Sequence, residues 1–328
     1  MEDWGLSMLN RALPQGAKMA KLQRNSMASD APIQSEDAQL QSFLAELESE
    51  HGIKEIAGWE TGFANLSRAL DGIRPGLYLL IGAPAIGKTS FAKQLLDQVA
   101  IHNRTPGIFF TFAETKKELR IKTLARLSGL ENREIRRGSA YLLHWYGVPK
   151  AHHGDVEQLP PSWEKLKQSA NEAKSWLDLI YIVECDSNIK MPQIEKRIDE
   201  GVRALTNHEK IFVVIDDCQR LGDSAQALPL RLPIVVDQLQ QMAVNLKIAI
   251  LALWPDLGDI GASQPQTWAE KAASPDVVLV LEQDRERTRK LTEPNQAIIL
   301  HVVKNRGGEK GRLAFDFFPA FSRFTEAP

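Results

Sequence analysis

The 328-residue sequence predicts an α/β fold: a mostly parallel, twisted sheet covered by helices, with a helical extension at its N-terminus. Two observations carry that expectation. From Thr61 onward, short apolar runs alternate with helical stretches. Within that region the stretch YLLIGAPAIGKTSFAKQ, residues 78–94, sets a glycine-containing turn between an apolar run and a helical pattern.

Taken in order, residues 1–37 are mixed in character and close on polar residues, so they read as a mobile arm. Residues 38–60 carry Leu40, Phe43, Leu44 and Leu47 on one helical face. This amphipathic linker helix either folds back on its own domain or docks on a neighbouring subunit. Residues 61–328 form the sheet domain. Its strand candidates are Leu77–Ile81, Gly107–Phe112, Leu179–Val183, Ile211–Ile215, Ile248–Leu253, Val277–Leu281, Ala297–Val303 and Leu313–Phe317. A helix is expected from Thr89 to Val99, and the segment 137–161 reads as an irregular surface excursion.

The turn satisfies G-x-x-x-x-G-K-[ST] with Gly82, Ala83, Pro84, Ala85, Ile86, Gly87, Lys88 and Thr89, followed by Ser90. Glycines let successive backbone N–H groups curl inward toward phosphate oxygens. The helix that follows adds the positive end of its dipole. Lys88 can then reach the outer phosphates of ATP, and the Thr89 hydroxyl can ligate Mg²⁺. A metal also needs a carboxylate. KIFVVIDDCQRL supplies Asp216 at a strand's carboxyl end, with Asp217 as second choice. Hydrolysis needs a group that orients or deprotonates water, and GIFFTFAETKKEL offers Glu114. Glu114 could equally serve only the dipole of the next helix. Finally, Lys304 and Arg306 stand at a strand end before Gly307 and Gly308. At alternate positions, they project to one side. They read either as a solvated hairpin or as a charge pair aimed at a γ-phosphate.

Bulk properties restrict the alternatives. The composition is 43% hydrophobic and 25% charged, with a net charge of −2, so any nucleic-acid contact must come from a local patch. Two cysteines, Cys185 and Cys218, lack metal-ligand spacing and read as reduced and buried in a cytoplasmic protein. No apolar run reaches the ~18 residues of a membrane span. Lys116, Lys117, Arg120, Lys122, Arg126, Arg133, Arg136 and Arg137 crowd one helical region, either as a solvated face or as a contact surface. Trp163, Trp176 and Trp268 are base-stacking candidates or core residues, and the pair His152–His153 lacks a third metal ligand.

In this order the motifs resemble the RecA-like P-loop ATPase domain of DnaB-type hexameric replicative helicases, from about Thr61 to Phe324. TGFANLSRALDGIRPG resembles the family's lead-in to the phosphate loop, and FFTFAETKKELRIKTLARLSGL its second motif. IDDCQRL, DVVLVLEQD and VVKNRGG resemble the later ones. The resemblance implies Glu114 as catalytic base, Lys304 as a γ-phosphate sensor and Arg306 as an arginine finger, the last two acting on a neighbouring subunit's nucleotide. It also implies ATP and Mg²⁺, a homo-oligomeric ring, and translocation on single-stranded DNA in replication. The DNA-repair ATPase RadA is a near relative, and the clock ATPase KaiC resembles the TFAET stretch. Three departures stand out. An ungapped match sets Ala113 where the family has its glutamate. Trp254 and Pro255 stand where the family ends a core strand in glutamine. The loop from Trp254 to Asp276 holds Asp256, Asp259, Glu270 and Asp276 against only Lys271, a poor composition for a DNA-binding loop. The alternative function is therefore an oligomeric ATPase switch that acts on a protein partner.

Overall fold

The computed structural model describes residues 36, 40, 44–45, 56–138, 161–186, 189–205, 211–222, 228–255 and 275–327. The chain divides between Glu55 and Ile56 into two units. In the first, residues 36, 40, 44 and 45 are helical, and Leu40 and Leu44 are exposed. Phe43 and Leu47, expected on the same face, lie outside the described residues.

The second unit opens with α1 (Ala64–Leu70), β1 (Gly76–Gly82), α2 (Lys88–Asn103), β2 (Gly107–Thr111), α3 (Lys116–Ser128) and α4 (Asn132–Arg137). It continues with α5 (Pro161–Glu172), α6 (Lys174–Leu177), β3 (Ile180–Glu184), α7 (Met191–Ala204), β4 (Phe212–Asp216) and α8 (Leu228–Leu246). It closes with β5 (Ala249–Pro255), β6 (Val277–Gln283), α9 (Arg285–Thr288), β7 (Gln296–Asn305), β8 (Gly311–Phe318) and β9 (Arg323–Glu326). The strands form one sheet in the order β3-β2-β4-β5-β1-β6-β7-β8-β9. The pairs from β3 through β6 are parallel, and those from β6 to β9 antiparallel. All eight expected strands are present. The ninth, β9, was not expected.

Parallel strands covered on both faces are apolar along their length, and β1 and β4 are buried at every position. On one face, Phe91, Leu95 and Leu96 of α2, with Leu66 and Leu70 of α1, cover Leu80, Phe109, Val214 and Leu251. On the other, Ile194 and Ile198 of α7 and Val235, Leu239 and Met242 of α8 cover Leu79, Phe110, Val213 and Ile250. Trp254 is buried in this second core, and it pairs with Ile81 immediately beneath the phosphate loop.

The C-terminal strand is tied to α2. Gln94 is buried and bonds the backbone of Phe324 in both directions, Nε2 donating at 2.9 Å and Oε1 accepting at 2.8 Å. Glu326 caps α1 by accepting from the amides of Asn65 and Leu66 at 3.1 and 2.9 Å, which satisfies two orphan donors of that helix. Phe317 and Phe324 stack at 4.2 Å. A Cβ at Gly87, where φ is +100°, would meet both rings at 2.9 Å, so this position requires glycine for space as well as for its backbone. Of the two cysteines, Cys218 is buried as expected, and Cys185 is only half-buried.

Candidate nucleotide-binding site

The turn from β1 into α2 lies at the carboxyl edge of the parallel strands, where open α/β sheets bind ligands. Ala85 adopts φ +62° and Gly87 φ +100°, conformations that curl the loop. Lys88 Nζ donates to the carbonyl oxygens of Gly82 and Ala83, at 2.6 and 3.0 Å, so its ammonium folds back over the loop. A cleft of about 690 Å³ opens beside Gly82–Ile86 and is walled by the end of β6 and by α9, including Glu282, Gln283 and Arg285.

Asp216 closes β4, two strands away from β1. The Thr89 Oγ1 hydroxyl donates to Asp216 Oδ2 at 2.6 Å across 127 residues of sequence. Burial pushes the Asp216 carboxyl up to about 6, against the lowering effect of the Thr89 hydrogen bond. Asp217 turns elsewhere, accepting from the amide of Gln219 at 3.1 Å. Between the two aspartates, the geometry selects Asp216 as the partner of Thr89. A hydroxyl and a carboxylate in contact at the loop's first helical turn form a hard-oxygen donor set of the kind Mg²⁺ takes. The residues present therefore fit nucleotide with its metal.

Glu114 lies in the turn between β2 and α3, three residues past the end of the strand rather than on it as the sequence pattern suggested. Its backbone is fixed by Thr111, whose Oγ1 donates to the Glu114 carbonyl at 2.8 Å and accepts from its amide at 3.1 Å. Thr111 pairs with Asp216 in the sheet, so Glu114 is delivered to the same edge as the metal-ligand candidates. Lys122 of α3 stands 3.3 Å from Glu114 Oε1 and donates to Ser90 Oγ at 3.2 Å.

Lys304 and Arg306 are placed at the opposite edge. Lys304 pairs with Val278 and the Arg306 amide donates to the Asp276 carbonyl, beside the start of β1. From Leu77 to Gly82 is about 17 Å at ~3.3 Å per residue. Arg306 Nη1 lies 3.0 Å from Asp276 Oδ1, and Asp276 Oδ2 accepts from Leu77 N at 3.0 Å and from Gln240 Nε2 at 2.9 Å. The Lys304 ammonium is held below its usual range by burial, then by the charge of Arg306. A bulge between Lys304 and Val302 breaks the simple alternation expected there.

The basic helical region is largely internally paired. Arg136 joins Glu118, Arg133 joins Glu131, and Arg126 joins Asp97. Trp176 is core and Trp163 half-buried. Trp268, the histidine pair and loop residues 256–274 lie outside the described residues. Among the described residues, no cluster of three metal-ligating side chains occurs and no helix is long and apolar enough to cross a membrane.

A family model described as DnaB-like helicase C terminal domain matches residues 58–257. The replicative DNA helicase DnaB of Treponema pallidum is 26% identical over 285 residues, covering 83% of this chain and 56% of that protein. Its counterpart from Pasteurella multocida is 21% identical over 299 residues, covering 85% and 57%. The chain thus spans little more than half the length of these relatives. Among solved structures, a free-standing ATPase domain superposes with a TM-score of 0.72 at 19% identity, covering 90% of this chain and all of that one. A DnaB-like replicative helicase studied with primase gives 0.68 at 18%, covering 95% and 76%. Both share the fold. The chain belongs to the DnaB-like helicase C terminal domain family.

Proposed function

We propose that this chain binds ATP with Mg²⁺ at Gly82–Ser90 and hydrolyses it at the interfaces of a homo-oligomeric ring. The energy drives translocation on single-stranded DNA in replication, in the cytoplasm. The observation that carries the reading is the contact between Thr89 and Asp216, beside a phosphate loop in a family of helicase domains. In the loaded site, Lys88 exchanges the Gly82 and Ala83 carbonyls for phosphate oxygens, and Thr89 and Asp216 hold the metal. Bound Mg²⁺ supplies charge neutralisation at the outer phosphates. Glu114 takes the proton of the attacking water. Lys304 and Arg306, one strand-length from their own loop, act on the nucleotide of the next subunit. The helix around Leu40 and Leu44 docks on that same neighbour through its exposed apolar face.

The test is the ATPase rate with and without single-stranded DNA. The proposal expects clear stimulation, reduced by salt as phosphate contacts are screened. Hydrolysis indifferent to DNA would instead favour the oligomeric switch with a protein partner.

A further inference from the structure

We propose that Lys122 is a positioning residue for hydrolysis. It fixes one oxygen of Glu114 against the first turn of the phosphate-loop helix and leaves the other to receive the proton of water. The proposal rests on Glu114 being the base, and its test separates the two.

Three contacts make the arrangement. Lys122 Nζ bridges Glu114 Oε1 at 3.3 Å and Ser90 Oγ at 3.2 Å. Ser90 is buried and adjoins Thr89, the metal-ligand candidate. Glu114 Oε2 is buried and has no hydrogen-bond partner among the described residues. A buried carboxylate oxygen without a partner is costly, and such groups occur where a ligand or water completes the set. The Glu114 backbone is pinned by Thr111, but its side chain has rotamers to choose from. The Lys122 ammonium selects one of them and ties it to α2, which also carries Lys88 and Thr89. The base and the phosphate loop then move as one piece. The lysine is itself only 19% exposed, so water competes weakly for it.

A lysine in this position could instead bind phosphate directly, or simply join α3 to α2. Kinetics distinguish these roles. Lys122→Met should lower kcat on the order of 10- to 100-fold, the effect of a displaced catalytic group, with ATP affinity changed less than about threefold. Lys122→Arg, which keeps a donor that can span both oxygens, should recover most of the rate. On a Glu114→Gln background, followed by single-turnover hydrolysis, Lys122→Met should cost nothing further, because its effect passes through the carboxylate. Circular dichroism and retained nucleotide binding verify that each variant is folded, and Lys122→Arg gives a second reading if Lys122→Met is not. Three results overturn the proposal while leaving the base assignment intact. They are near-wild-type kcat in Lys122→Met with Glu114→Gln inactive, a matching loss of ATP affinity, or an additive loss on the Glu114→Gln background. Full activity in Glu114→Gln would remove the base assignment and the proposal with it.

Discussion

Lys93 and Asp97, on the second and third turns of α2, face Thr123 and Arg126 of α3 in a fully enclosed cluster. Lys93 bonds Asp97 and donates to Thr123 Oγ1 at 2.7 Å, Thr123 donates to Asp97 at 2.8 Å, and Arg126 completes the carboxylate. One turn earlier the same two helices meet again through Ser90, Lys122 and Glu114, beside Thr89 and Asp216. The first cluster answers the Asp97 carboxylate from three sides. The second leaves a buried glutamate oxygen unanswered and lifts an aspartate carboxyl toward neutral pH. Both bind α2 to the elements around it. Only the second is incomplete in a way that a nucleotide, its metal and a water would complete.

That contrast can be broken by mutation, and the largest effect falls on chemistry. Lys88→Ala should lower ATP hydrolysis by at least about 10²-fold, as for other lost charge donors at a reacting group. Its unfolding midpoint should stay near wild type, because Lys88 contributes charge to a ligand and little to the core. Asp97→Ala should do the reverse. It strands Lys93 and Arg126 without their counter-charge, which typically costs ~3–5 kcal/mol. Denaturant unfolding measures that loss. A small change there would mean that Lys93 escapes its charge by deprotonating, consistent with the downward push that burial exerts on it.

The third prediction concerns pH. The folded Asp216 carboxyl titrates at about 6, above its ordinary 3.8, because of burial. A group raised in the folded state favours folding when protonated. Its penalty is absent below about pH 4, develops through the window up to about 6, and is complete above it. Asp216→Asn should therefore stabilise the nucleotide-free protein relative to wild type above pH 6, by up to ~3 kcal/mol at 1.36 kcal/mol per unit, while abolishing hydrolysis. The gain should vanish near pH 4. A difference independent of pH would place its origin in packing instead.

Legibility in the sequence followed the range of the interactions. The phosphate loop is local, so eight consecutive residues were enough to find it. Thr89 and Asp216 are far apart in sequence, but each follows an apolar run at its carboxyl end, and parallel topology brings such ends together. Lys122 was one cation among many on a helix. Nothing local marks it as the one facing Ser90. Lys93 and Asp97 read as an ordinary surface pair at i, i+4, and only α3 and its Arg126 enclose them. Strand β9 has four residues, of which Phe324 alone is buried, too little for an alternating pattern. Its register depends on Gln94, 230 residues away.

The same sheet also separates the phosphate loop from Arg306 by the length of a strand, and the account depends on that arginine serving another subunit. The direct measurement mixes Lys88→Ala with Arg306→Ala, each expected to be inactive alone, the second by ~10³-fold if it acts as an arginine finger. In a co-assembled mixture, some interfaces pair an intact Lys88 with an intact Arg306. Partial return of ATPase activity is the predicted result. No recovery in a mixture shown to co-assemble, or full-rate hydrolysis by a chain that stays monomeric with ATP and Mg²⁺, would contradict the shared site.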